Sequence, residues 1–293
     1  MQHTVEKNVE LSGIGLHSGS VVNMVIKPSA INTGIVFIRT DITDKNNKIS
    51  AKWDNVVDTR LCTVIANDAG VTIGTIEHVM AALRGCHIDN AIIELDGEEL
   101  PIMDGSSSCF VKAIDEAGIK SQTASRRAIK LLKNIEVTDG DKKVSLTMGG
   151  KPVFEGEIDF SHPDIGNQTY KMEMVNGSFR HDLAEARTFG FIEEVNALRN
   201  MGLARGGSLD NAIVLEKETI MNEEGLRFED EFVRHKLLDA IGDLYLAGAP
   251  IIGTYKGHKA GHAMNNKILH ELFKDDSAWC WVDIDTNGEA VGL

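Results

Sequence analysis

Residues Arg234–Asp243 read RHKLLDAIGD. At about 100° per residue, Val233, Leu237, Ile241 and Leu244 share one apolar arc, the signature of a helix laid against a core. His235, Lys236, Asp239 and Asp243 share the opposite arc. Taken alone, that arc is a solvated polar face. A sharper alternative is a metal chelate. Side chains at i and i+4 meet on one face of a helix, and His235 and Asp239 have that spacing.

Beyond this helix come a strand, PIIGTYKG, and a second helix, HAMNNKILHELF. The same order closes the N-terminal half. TIEHVMAALRG is a helix with Thr75 as N-cap, Gly85 as stop and Ile76, Val79, Met80 and Leu83 as its stripe. A buried strand, NAIIEL, and a helix from Ser106 to about Ile119 follow it. Earlier, VVNMVIKP and GIVFIRTD read as strands around SAINT. In the second half AIKLLKNIEV and KVSLTM flank TDGDK as a hairpin, ahead of the strands FEGEIDF and YKMEMV. The polar, aperiodic KSQTASRR (Lys120–Arg127) is a linker. The chain thus divides into an N-terminal α+β domain at 1–122 and a C-terminal one at 128–293, duplicated in element order rather than in residues. The first helix of each closing run carries an early histidine, His78 in TIEH and His235 in FVRH. Packed face to face, two such domains bring those helices to one cleft, which favours a duplicated α+β sandwich.

The 293 residues suffice for a sizeable core, and 42% hydrophobic with 25% charged residues is ordinary for a globular chain. A formal net charge of −14 argues against nucleic acid as partner, because phosphate backbones demand clustered cations. A small anion held by a few lysines stays possible. MQHTVEKNVE has no basic-then-apolar signal pattern and no apolar run is long enough to span a bilayer, which points to a cytoplasmic protein without membrane insertion. Cys62, Cys86, Cys109 and Cys280 are widely spaced and read as reduced, buried thiols.

A catalytic zinc takes three protein ligands and keeps one position for water. With His235 and Asp239 as two, His78 is the candidate third, and it has Glu77 beside it. A carboxylate next to a ligand takes the proton of the attacking water. The residues alone leave a structural and a metal reading equally open, and two histidines with one carboxylate also suit Fe(II). In GHKAGHAMNN, Gly257 and Gly261 argue against one helix joining His258 to His262, so His262 reads as a general acid rather than a ligand. Asp243 can keep such a histidine cationic. His17, in GIGLHSG, reads as part of a turn. His3, His87, His162, His181 and His270 form no constellation.

TIEHVMAAL, PIMDGSS, ARTFGF, GGSLDNAIV, FEDEFVRHKLLDAIGDLYLAG and GHKAGHAMNNK, in this order, resemble the UDP-3-O-acyl-N-acetylglucosamine deacetylases of bacterial lipid A synthesis. The one departure is Ala-Gly in place of Ser-Gly before His262. The resemblance implies two similar α+β domains in a β-α-α-β sandwich with the active site between them. It implies a zinc amidase, with one ion per chain and Fe²⁺ an alternative in the cell. That enzyme removes the N-acetyl group from a UDP-sugar bearing a 3-O-hydroxyacyl chain. His78, His235 and Asp239 would hold the metal, Glu77 would be the base and His262 the acid oriented by Asp243. Thr188 would donate to the oxyanion. Lys236, Lys142, Lys259, Phe160 and Phe189 would meet the nucleotide sugar. An inserted element near 189–214, with Phe191, Ile192, Val195, Leu198, Met201 and Leu203, would take the acyl chain, and the family expectation is a monomer. Two rivals remain: a hydrolase of another acylated amine on the same residues, and a metal-free nucleotide-sugar binding protein.

Overall fold

Two sheets share one strand order. The computed structural model describes residues 1–175 and 177–285. The first sheet runs Val9–Ile14, Val21–Pro28, Ala91–Leu95, Ile35–Arg39, Lys48–Ser50. The second contains Ile135–Asp139, Lys142–Thr147, Ile251–His258, Pro152–Asp159, Asn167–Glu173, plus two added strands, Arg127–Leu131 and Trp279–Asp283. In each, the strand latest in sequence of the five sits centrally, antiparallel to one neighbour and parallel to the other. The alternation expected of a sheet with one covered face is plain in Val21–Pro28, where buried Val22, Met24 and Ile26 alternate with exposed Val21 and Asn23 and half-buried Val25 and Lys27. The duplication in element order is therefore a duplication of topology.

Among the described residues, six α-helices complete the fold: α1 Glu77–Gly85, α2 Ser108–Ala117, α3 Ser178–Asp182, α4 Ile192–Asn200, α5 Glu231–Tyr245 and α6 His262–Phe273. Helix α2 packs on Val9–Ile14 and α1, while α5 and α6 pack on the second sheet, and α1 lies against α5. The layers are sheet, helices, helices, sheet, around one continuous apolar core. At the α1–α5 crossing Gly242 allows backbone to meet backbone, since a Cβ there would overlap the Glu77 carbonyl. Small three-stranded sheets interrupt both repeats at the same point, ahead of α1 (Val56–Asp58, Val64–Ala66, Thr72–Ile73) and ahead of α5 (Phe189–Phe191, Ile213–Glu216, Thr219–Ile220).

Several local expectations are revised. Thr75 is not the N-cap of α1; Ile76 occupies that place, and Thr75, at φ 57°, turns its hydroxyl to Glu99. The helix α2 stops at Ala117 because Gly118 takes φ 82°, and Ile119–Ser121 then pairs with His3–Val5. The linker is thus partly a strand, and Arg126 in it is buried against Asp89. AIKLLKNIEV splits into two strands, and only Ile135–Asp139 forms the hairpin with Lys142–Thr147. Val21–Pro28 and Ile35–Arg39 are strands as read, and Ala91–Leu95 lies between them and pairs with both. Among the described residues, no helix is long and apolar enough to cross a membrane.

Candidate active site

The polar arc of α5 is not solvated. His235, Asp239 and Asp243 are 1%, 3% and 2% exposed, because that arc faces α1 and α6 rather than water. Burying three polar side chains without partners would be costly, so each must find one. Asp239 Oδ1 has two imidazoles facing it, His235 Nε2 at 3.3 Å and His78 Nε2 at 3.5 Å. One ligand atom from each of the three residues lies within 4.8 Å of the others. Asp239 Oδ1 is buried with no hydrogen-bond partner among the described residues, as a metal ligand stripped of its ion would be. The other ring nitrogen of His235, Nδ1, lies 3.1 Å from the Ala186 carbonyl; donating there turns the Nε2 lone pair toward Asp239. Burial pushes the His235 imidazole down to about 3, so it is neutral, the form that binds metal. Burial opposes the Asp239 charge, yet its charged neighbours, the Lys236 ammonium 2.9 Å from Oδ2 among them, hold its carboxyl well below the usual range. The donor set is two nitrogens and one oxygen, which fits zinc or iron.

A second cluster adjoins the first. Glu77, one residue before His78, is buried, and its Oε2 accepts from the Thr63 N–H at 3.0 Å. Its Oε1 lies 3.9 Å from His262 Nε2. Burial raises the Glu77 carboxyl above its ordinary value, against the pull of His262 and His78. His262 begins α6, and its Nδ1 lies 2.9 Å from Asp243 Oδ2. Burial works against its charge, but the Asp243 and Glu77 carboxylates raise the imidazolium to about 10. Asp243 is itself fixed: Asn265 Nδ2 donates to Oδ2 at 2.9 Å and Thr63 Oγ1 to Oδ1 at 2.5 Å, while the Tyr255 hydroxyl donates to Asn265 at 2.7 Å. A carboxylate that readily takes a proton therefore faces an imidazolium that holds one, the pairing acid–base chemistry needs. Thr63, Asn265 and Tyr255 were not legible as site residues. Asn265, three residues after His262 on one helix face, offered the only signal. Cys62 is no nucleophile, since burial and the Glu77 charge push its thiol up to about 12.

Thr188 directly precedes the strand Phe189–Phe191, and its main chain is pinned by Gly105 and Ile213. It lines a cavity of about 340 Å³ with Leu16, Phe189, Ile192, Val195, Leu198 and Val214. Helix α4 buries none of its residues, so its apolar side serves this cavity and not the core. Phe191 points elsewhere, toward Phe160 and His162, and Met201 and Leu203 line a neighbouring cavity of about 600 Å³. Phe189 joins cavity to cluster: its ring is 6.4 Å from that of His235, and the Lys236 ammonium sits 5.3 Å over it. Phe160 stacks edge-on to Phe189 at 5.7 Å. Lys259 bridges Asp141 and Asp159, each at 3.1 Å, which gathers Phe160, Lys142 and Lys259 at one end of the second sheet. Lys142 is exposed there. Of the remaining histidines, His87 meets Arg126, His270 meets the edge of Trp53 and His258 pairs with Glu157. His17 is not only a turn residue, because it lines both cavities.

Residues 2–274 match the family model described as UDP-3-O-acyl N-acetylglycosamine deacetylase. A UDP-3-O-acyl-N-acetylglucosamine deacetylase of Phenylobacterium zucineum is 48% identical over 278 residues, covering 95% of each chain. One of Shewanella frigidimarina is 47% identical over 295 residues, with 98% of this chain and 94% of the relative covered. One of Pasteurella multocida is 46% identical over 286 residues, with 97% and 93% covered. On the strength of matches that run almost end to end, the chain belongs to the UDP-3-O-acyl N-acetylglycosamine deacetylase family.

Proposed function

We propose that the chain is a zinc-dependent amidohydrolase that releases acetate from UDP-3-O-(3-hydroxyacyl)-N-acetylglucosamine and leaves the free amine, the committed step toward lipid A. The observation that carries this is the convergence of His78, His235 and Asp239 beside the opposed pair Glu77 and His262. His78, His235 and Asp239 would hold the zinc, which would supply Lewis acidity to polarise a carbonyl and ease the ionisation of water. Glu77 takes the proton of the attacking water. The Thr188 hydroxyl donates to the oxygen that becomes negative as the carbonyl carbon turns tetrahedral. His262 gives its proton to the departing nitrogen, without which an amine anion would have to leave. Asp243 orients the His262 ring and favours its charged form. Water adds across the C–N bond, so one acetate and one amine balance each turnover.

Lys236, Lys142 and Lys259 with Phe160 and Phe189 are assigned to the nucleotide sugar, local cations offsetting an acidic chain. The cavity beside Phe189 is assigned to the acyl chain, where each buried CH₂ contributes roughly 0.8 kcal/mol. The domain division at 1–122 and 128–293, with the insert near 189–214, belongs to the same proposal, as do a monomeric state and a cytoplasmic location. The deciding experiment measures acetate release from the 3-O-acylated UDP-sugar with and without a chelator, beside the non-acylated UDP-sugar. Expected are turnover abolished by chelation, restored by zinc, and much faster on the acylated compound. Equal rates on both sugars, or chelator-insensitive turnover, would overturn the assignment.

A further inference from the structure

Glu99 is 4% exposed and lies in neither cluster. Its Oε1 accepts from the His17 N–H at 2.8 Å and the Thr75 hydroxyl at 3.0 Å, and its Oε2 from the Ser18 N–H at 2.8 Å. These three donors belong to two working surfaces. Thr75, in a left-handed conformation at φ 57°, stands two residues before Glu77 and sets the start of α1. A non-glycine residue holds that conformation only against a cost, which the bond to Glu99 offsets. Leu16 and His17 form a wall of the apolar cavity, and His17 also borders the larger cavity.

The wall is clamped from its other side by the insert. The Arg205 N–H donates to the His17 carbonyl at 3.2 Å and the Gly206 N–H to the Leu16 carbonyl at 3.0 Å. Both approaches need glycine: a Cβ at Gly15 would strike Ser18 Oγ and lie 2.5 Å from Glu99 Oε2, and one at Gly206 would overlap the Gly15 carbonyl. A buried carboxylate thus ties the residue leading into α1, a cavity wall and, through it, the 204–207 segment into one unit.

We propose that Glu99 is a positioning residue that registers the Leu16–His17 wall of the acyl cavity against the start of the helix bearing Glu77 and His78, making preference for an acylated substrate depend on it. The inference rests on the deacetylase assignment. Glu99→Gln keeps the shape but offers one acceptor oxygen, and its NH₂ must face an N–H. Hydrogen bonds to a charged group are lost, and the ratio of kcat/KM for the 3-O-acylated over the non-acylated UDP-sugar should fall about tenfold, mainly through KM of the acylated compound. Metal content should stay that of the wild type. A Glu99→Gln enzyme that is slower on both sugars with an unchanged ratio would overturn the proposal, since a merely structural loss moves both alike. Should Glu99→Gln fail to fold, Gly206→Ala disturbs the same wall from the insert: a lowered ratio supports the coupling, an unchanged one overturns it. A wild-type chain without acyl preference would instead overturn the deacetylase assignment, and this inference with it.

Discussion

Glu77 and His262 face each other across 3.9 Å with opposed proton affinities, and the opposition comes from their surroundings rather than their types. Glu77 carries no ligand atom in the metal cluster, so Glu77→Ala should keep its metal while losing turnover by about 10²–10⁴-fold, the usual worth of a general base. Metal analysis beside a rate measurement checks this, and a metal-free variant would make Glu77 a ligand instead. For His262 the sign is fixed by a raised value: the ring is charged below it and loses its proton as pH climbs through it. An acid so held gives the pH–rate profile a basic limb, at or below about pH 10, because a bound dication repels the imidazolium and lowers the limb. His262→Ala should abolish that limb. Asp243→Asn removes the largest influence raising His262 and should move the limb down by about one pH unit or more. A limb that stays put would assign the acid elsewhere. The i, i+4 pair His235 and Asp239 was legible because one helix turn fixes it. Thr63 was not, since its bond to Asp243 joins residues 180 positions apart and only the folded chain brings them together.

Helix α5 was readable as a helix but not as a buried one. Its apolar arc is what periodicity detects, while the burial of the opposite arc depends on α1, which sequence spacing on α5 cannot report. The same limit explains Thr75: a threonine ahead of an apolar stripe has the chemistry of an N-cap, but Glu99 draws its hydroxyl away. Strand composition marked the strands but not their partners, because Ala91–Leu95, far along the chain, separates two strands that adjoin in sequence. The α1–α5 crossing gives the prediction at this scale. Gly242 faces the Glu77 carbonyl with no room for a Cβ, and neither backbone can shift without moving a metal-cluster residue. Gly242→Ala should therefore cost about 1–3 kcal/mol or more of stability. Thermal melting should register it as a loss of roughly 2–4 °C per kcal/mol. A melting temperature within error of the wild type would mean that the helices part freely, and the cluster with them.

At the scale of the molecule, the two repeats carry the same five-strand order, and each contributes to the metal cluster: His78 from one, His235 and Asp239 from the other. The apolar core already runs through both, so the halves do not need an ion to associate. Their seam, however, buries Asp239 Oδ1, which has no hydrogen-bond partner among the described residues and would destabilise a form without a bound ion. A ligand that binds the folded but not the unfolded chain stabilises it by about 2.7 kcal/mol at a hundredfold excess over Kd. Zinc-loaded protein should thus melt roughly 5 °C or more above the chelator-treated protein. Hydrogen exchange should localise the difference to α1 and α5, leaving the edge strand Lys48–Ser50 unchanged, because it packs on Ile35–Arg39 rather than on either helix. Asp239→Ala supplies the control: with the buried oxygen gone, chelation should shift its melting by much less. If chelation destabilised both proteins equally, the ion responsible would be bound elsewhere. If it destabilised neither, although zinc was present at the start, the seam would hold its shape without the ion, and the cluster would owe its geometry to the α1–α5 packing alone.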